Sequence, residues 1–222
     1  MPTESELREL ICWVGERLYS KNLVTATDGN VSVRLDNGHY LCTPSGVSKG
    51  FMKPEDIVVA DHTGEKVAGD GKVSSEFFTH LAAYEERPDV NAVVHAHPPK
   101  AVGFTLAGIS LTELVLPEVV FAIGGIPTSN YATPGTKEGA GVVRGLIREC
   151  DALMLDRHGA LTVGEDLLDA FFKMEKIEHS AETLFVARQL GNIRTLDSNQ
   201  LEKLFSAHGD YGLKGKVYRG EA

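Results

Sequence analysis

Apolar positions recur along the chain with two periods, and the switches between them divide it into elements. Leu7, Leu10, Ile11, Val14 and Leu18 fall three or four residues apart. That is one face of an amphipathic helix, with Thr3 or Ser5 as its N-cap. The pattern then changes to alternation: Val31, Val33 and Leu35 share one side of a strand over residues 30–35. Asn37-Gly38 predicts a hairpin into a second strand over residues 39–43. Residues 57–60 and a short return near 65–67 extend this antiparallel start. A helix opens at Ser74-Ser75-Glu76, capped by Ser74 or Ser75, and runs to Glu86, where Arg87-Pro88-Asp89 ends it. Beyond it the spacing predicts helices over 99–106, 136–148, 167–189 and 198–207. It also predicts a buried strand over 152–156, and short strands over 119–123 and 126–128 around Gly124-Gly125. Strands in hairpins mixed with helices imply an α/β layered fold, a mainly antiparallel central sheet covered by helices. No repeat, low-complexity tract or linker interrupts residues 1–222, so a single domain is expected.

Composition narrows the function classes. Hydrophobic residues at 42% and charged residues at 24% are ordinary for a globular protein that buries its own core. The balance of 22 basic and 31 acidic residues gives −9, without a dense Lys/Arg cluster. No nucleic-acid partner is expected, and an anionic ligand must be met by local devices such as backbone N–H groups. Cys12, Cys42 and Cys150 are scattered without a C-x-x-C, which favours buried thiols in a reducing compartment. The charged stretch Met1 to Glu9 lacks a signal-peptide core, and no run approaches the ~18 apolar residues of a membrane span. The expectation is a soluble cytoplasmic protein with no membrane partner.

Candidate chemistry begins at His95-Ala96-His97. A β-prone run leads into the pair and Pro98-Pro99 closes it, so both imidazoles project from one face of a strand end. Such a pair suits zinc, and equally a polar sheet margin. A catalytic zinc takes three protein ligands, and Asp156-Arg157-His158-Gly159 offers His158 at another strand end. Glu76, at a helix start, is the carboxylate placed to act as fourth ligand or as acid/base. The turns Thr27-Asp28-Gly29-Asn30 and Thr43-Pro44-Ser45-Gly46, with Ser74-Ser75, offer hydroxyls, free N–H groups and a helix dipole. Together these can hold a phosphate without net positive charge; singly each is a turn or cap. Lys49, Lys53 and Lys100 could lean toward a phosphate, and none of them is singled out; His80 reads as a satisfied interior or surface histidine.

Six ordered motifs carry a resemblance. Asp28-Gly29-Asn30-Val31-Ser32, Thr43-Pro44-Ser45-Gly46, Ser74-Ser75-Glu76 and Val94-His95-Ala96-His97 are followed by Tyr131-Ala132-Thr133-Pro134-Gly135-Thr136 and Arg157-His158-Gly159. In this order they resemble the class II aldolase/adducin family over nearly the whole chain. The resemblance implies that His95, His97, His158 and Glu76 bind one zinc per subunit and that Glu76 is the acid/base. It implies that Asn30, Thr43, Ser45, Gly46, Ser74 and Ser75 belong to the segments holding a substrate phosphate. It further implies a C4 homotetramer in which Tyr211 reaches a neighbouring subunit's site. The implied reaction cleaves a ketose 1-phosphate, by default L-fuculose 1-phosphate, to dihydroxyacetone phosphate and an aldehyde. Zinc would store the enediolate charge as a Lewis acid, with no lysine Schiff base. One departure leaves the aldehyde end open. Leu116-Pro117-Glu118-Val119-Val120 has no tyrosine where fuculose-phosphate members carry one, and Glu118 reads as a solvated edge residue. Epimerase, dehydratase or decarboxylase chemistry on the same site is the alternative, although a glutamate at 76 favours aldol cleavage over the 4-epimerase pattern. Manganese, cobalt or iron could replace zinc. A non-catalytic adducin-like module would predict a degraded site. Other His-x-His patterns fail: residues 98–104 lack the cupin glutamate, and Pro98-Pro99-Lys100 excludes the metallo-β-lactamase Asp-His.

Overall fold

The computed structural model describes residues 2–210 and 215–220, so Tyr211 lies outside the described residues. The first helix, α1 (Glu4–Ser20), starts at a reciprocal cap. The Thr3 hydroxyl accepts from Glu6 N at 3.3 Å, and the Glu6 carboxylate accepts from Thr3 N at 2.7 Å. Ile11, Val14 and Leu18 on its stripe are fully buried, each stabilising the fold by about 1.5–3 kcal/mol.

Seven strands follow: β1 (Asn30–Arg34), β2 (Tyr40–Cys42), β3 (Val58–Ala60), β4 (Lys66–Ala68), β5 (Ala92–Ala96), β6 (Ala152–Leu155) and β7 (Gly159–Gly164). They form one sheet in the order β4-β3-β2-β1-β5-β7-β6, antiparallel at every pairing. Helices α2 (Phe77–Glu86) and α5 (Lys137–Ile147) cover one face. Helix α1, α3 (Pro99–Leu106) and the long α6 (Leu167–Leu190) cover the other. The register places Asn30 opposite His95, and Ala96 opposite Ala160. The start of β1, the end of β5 and the start of β7 therefore meet at one edge of three adjacent central strands.

Four local expectations are corrected. Residues 119–123 are not a strand: they fall in α4 (Pro117–Ala122) and its C-cap, with Pro117 at the first helical position. Val119 and Val120 are buried there, and α4 packs against α7 (Ser198–Asp210). Residues 126–128 make only isolated bridges, Ile126 to Leu111 and Thr128 to Met154. Neither Ser74 nor Ser75 caps α2; Glu76 occupies the N-cap, leaving both serines in the preceding loop. The fourth correction is β7, a six-residue strand that the periodicity does not predict. Gly124-Gly125 proves to be a docking point for residues 215–220. Tyr218 N donates to Ile123 O at 3.1 Å, and Gly125 N donates to Tyr218 O at 2.9 Å. A Cβ on Gly124 would lie 2.1 Å from Tyr218 O, so only glycine admits the segment. All three cysteines are free thiols. Among the described residues no helix is long and apolar enough to cross a membrane.

Candidate metal centre

Glu76 sits where the loop enters α2. Its carbonyl accepts from Thr79 N at 2.9 Å and from the Thr79 hydroxyl at 2.6 Å, while its N–H donates to Ser74 Oγ at 3.3 Å. With its backbone fastened this way, the side chain turns toward the sheet edge. His95 is 1% exposed in β5, and its Nδ1 lies 2.9 Å from Ala160 O on β7. A carbonyl only accepts, so Nδ1 carries the proton and Nε2 faces the cluster. His97 lies one residue past the strand, where its N–H donates to Leu23 O at 2.7 Å. His158 lies in the β6–β7 turn: Arg157 takes a left-handed φ of 54° and His158 N donates to Leu155 O at 3.0 Å.

These four side chains converge. His95 Nε2 is 3.0 Å from Glu76 Oε2 and 3.1 Å from His97 Nε2, and His158 Nε2 is 3.3 Å from Glu76 Oε1. One ligand atom from each lies within 4.8 Å of all the others. Gly159 makes this approach possible, because a Cβ there would lie 2.8 Å from His97 Cδ2 and 2.9 Å from His95 Cε1. Burial, then the charges of His95 and His158, pull His97 down to about 3, so its ring is neutral near pH 7. Burial works to raise the Glu76 carboxyl. In the metal-free site, wherever the His158 and His95 rings take up a second proton, their hydrogen bonds and charge outweigh it and hold the group well below the ordinary carboxylate range. The donor set fits a divalent cation: His95 Nε2, with its proton on the far nitrogen, faces both a carboxylate oxygen and another imidazole nitrogen. Three imidazoles and one carboxylate around a common centre suit zinc and related ions.

Beside the cluster opens a cavity of about 260 Å³. Asn30, Ser45, Gly46, Ser74 and Ser75 all line it, as Glu76 and His97 do. Asn30 joins the two regions, its Nδ2 donating to Glu76 Oε2 at 3.2 Å. Thr43 is the exception among the predicted phosphate residues. Its hydroxyl accepts from Val31 N at 3.1 Å and is fully buried, so it fastens β2 to β1 instead of lining the cavity. Of the three lysines weighed for a phosphate, Lys49 lines the cavity. Lys53 is exposed, and Lys100 pairs with Glu178 and Glu182. A narrow crevice of about 20 Å³ reaches Glu76 and His158 from the other side, past Ser129, Asn130 and Asp156. A larger depression of about 800 Å³ beside α7 contains none of the four clustered residues. Glu118 is exposed in the first turn of α4, as expected.

Residues 9–185 match the family described as Class II Aldolase and Adducin N-terminal domain. The chain belongs to this family. Among its relatives, the 3-oxo-tetronate 4-phosphate decarboxylase of Cupriavidus necator is 35% identical over 186 residues, covering 82% of this chain and 85% of that one. The L-fuculose phosphate aldolase of Methanococcus maripaludis is 35% identical over 173 residues, covering 78% and 93%. A solved L-fuculose 1-phosphate aldolase superposes with a TM-score of 0.85 at 29% identity, covering 94% of this chain and 98% of that one. The antiparallel sheet with helices on both faces is thus the family's fold.

Proposed function

We propose that this chain is a divalent-metal-dependent lyase that breaks the carbon–carbon bond beside the carbonyl of a small phosphorylated sugar. The primary reaction is aldol cleavage of a ketose 1-phosphate, with L-fuculose 1-phosphate as default substrate, to dihydroxyacetone phosphate and an aldehyde. One observation carries the reading: the Glu76/His95/His97/His158 cluster shares Asn30 with a cavity of hydroxyls and turn amides. A ligand anchored in that cavity extends naturally to the cluster.

His95, His97, His158 and Glu76 would hold one Zn²⁺ per subunit, which when bound supplies a Lewis acid for the carbonyl and adjacent hydroxyl oxygens. Ser45, Gly46, Ser74, Ser75 and Asn30 grip the phosphate, fixing the reacting bond relative to Glu76. As the bond breaks, its electron pair stays on the phosphate-bearing fragment and the departing carbon's hydroxyl loses its proton. Glu76, held as a carboxylate in the resting site, moves the proton delivered to the carbon left behind. Tyr211 of a neighbouring subunit, in the proposed C4 homotetramer, serves the departing hydroxyl. The setting is the cytoplasm.

A second reading is favoured by the departure at residues 116–120, where no tyrosine stands and Glu118 faces solvent. Loss of CO₂ from a 3-oxo acid phosphorylated at C4 needs no acceptor for a departing hydroxyl proton. After protonation of C2 it too leaves dihydroxyacetone phosphate. Dihydroxyacetone phosphate therefore does not separate the two readings; the other product does. Zinc-loaded protein is incubated with L-fuculose 1-phosphate or with 3-oxo-tetronate 4-phosphate, following dihydroxyacetone phosphate, aldehyde and CO₂. Equimolar aldehyde supports aldol cleavage, whereas CO₂ without aldehyde puts decarboxylation first. Exhaustive chelation, or His95→Ala, is expected to lower turnover by about 10³-fold or more. Activity that survives either treatment overturns the metal-dependent reading.

A further inference from the structure

Two loops wall the cavity beside the metal-ligand cluster: residues 27–29 ahead of β1 and residues 44–46 after β2. No backbone ladder joins them directly at their tips. Lys49 does so instead. It lies in a single 3-10 turn, Lys49–Phe51, against which α1 packs, and it is only 1% exposed. Its Nζ donates to Thr27 O at 2.9 Å and to Val47 O at 2.6 Å, one carbonyl in the first loop and one directly after the second.

An ammonium carries three N–H donors, and these carbonyls take two. Carbonyls satisfy donors without cancelling charge. Lys49 is also the only lysine or arginine among the described residues that line the cavity. Burial pulls its pKa down to about 8, with Asp28 opposing the shift. A buried cation facing a cavity is costly unless an anion shares the site, and the Asp28 carboxylate on the same lining offsets only part of that cost. In a chain of net charge −9, the hydroxyls and amides of this cavity supply directional donors but no countercharge for a dianion.

We propose that Lys49 is a phosphate-binding residue, tying the two loops together and presenting its remaining N–H and its charge to the substrate's phosphate. This rests on the reading that the cavity takes the substrate phosphate. Lysine at this position has two separable duties, loop staple and cation, and the test separates them.

The probe is inorganic phosphate, titrated calorimetrically at pH 7 into the zinc-loaded full chain and two variants. Lys49→Gln keeps amide donors and removes charge; Lys49→Arg keeps charge. Lys49→Gln is expected to weaken phosphate binding about 10-fold or more, while Lys49→Arg stays within about 3-fold, both with full zinc content. With a turned-over substrate, the Gln variant raises KM more than it lowers kcat. Equal losses in both variants reduce Lys49 to a staple and overturn the proposal. Unchanged affinity in Lys49→Gln also overturns it, leaving the phosphate reading standing. Absence of any phosphate binding by the unaltered protein removes that reading, and the proposal with it. If Lys49→Gln does not fold, lysine-labelled NMR of the unaltered protein decides. The Lys49 side-chain signal, assigned by its absence from Lys49→Arg, must shift as phosphate binds; a stationary signal overturns the proposal.

Discussion

Gly159 shows how much of the site rests on one missing methyl group. Three imidazoles packed with ring centroids 4.8–5.0 Å apart leave no space over the β7 backbone. A Cβ there would also lie 2.5 Å from Ala96 O, in the neighbouring strand. Gly159→Ala must therefore push β7 from β5 or splay His95 from His97. Either should drop zinc content below about half and cost about 1–3 kcal/mol of stability. Elemental analysis of the purified variant and urea unfolding measure both; full zinc occupancy with unchanged stability refutes the packing argument. His95 and His97 were legible in the sequence because strand alternation alone puts them side by side. The need for Gly159 was not, because it arises from rings brought together by two strands, β5 ending at Ala96 and β7 starting at Gly159, that are far apart in sequence. Lys49 could not be singled out among the three lysines for a similar reason. Its burial comes from α1 packing on its turn and from the carbonyls of Thr27 and Val47, none of which the local pattern shows. Thr43 erred the other way, since the sequence cannot tell which hydroxyl at a strand end turns inward.

At the level of elements, α2 has a catalytic-looking end and a buried middle. One turn past Glu76, His80 is 1% exposed, with Nδ1 2.7 Å from Ser32 Oγ, which shares a 2.8 Å hydrogen bond with the Tyr84 hydroxyl. Burial, then the charge of His95, lowers His80 to about 3. In the unfolded chain a histidine titrates near 6.5, so between these values the unfolded chain holds a proton that the folded helix refuses. The folded pKa is the lower one. Stability is thus intact above about pH 6.5 and falls as pH drops toward 3, by about 1.4 kcal/mol per pH unit for this group. His97 in the metal-free site adds the same sign. Chelated protein should therefore have a lower urea midpoint at pH 5 than at pH 7, and His80→Gln should flatten that slope by about one proton. A slope unchanged in the variant would contradict the assignment of His80. Element types were legible where periodicity was strong, as in α1, α5 and the β1–β2 hairpin. They failed where it was weak. The β-branched pair in residues 117–122 suggests extension, yet Pro117 starts a helix whose packing on α7 decides the matter. β7 is buried along its whole length and bounded by glycines, so it shows no alternation to read.

For the whole molecule, the Glu76/His95/His97/His158 cluster is supplied by one chain, while the proposed aldol cleavage also needs a group at the departing hydroxyl. Glu118 faces solvent on α4, and no tyrosine stands in residues 116–120. The proposed C4 homotetramer, with Tyr211 crossing to a neighbour, supplies what is missing. Periodicity cannot reveal such a contribution, because a residue that completes a neighbour's site leaves no trace in its own chain's hydrophobic pattern. Trp13 on α1 and Phe172, Phe185 and Leu190 on α6 are exposed apolar side chains of the kind subunit contacts cover. Subunit mixing tests the arrangement directly. His95→Ala lacks a ligand but keeps Tyr211, and Tyr211→Phe keeps the cluster but lacks the hydroxyl. Each alone should be at least about 10²-fold impaired. Co-expressed at equal levels, the two form mixed rings. A site is intact when its own subunit keeps His95 and the contributing neighbour keeps Tyr211, which random assembly gives for about a quarter of sites. Activity near one quarter of the unaltered enzyme is therefore expected, in a species that sediments as a tetramer. If Tyr211 instead served its own chain's site, every subunit would carry one defect, and mixing would yield only the average of the two impaired parents.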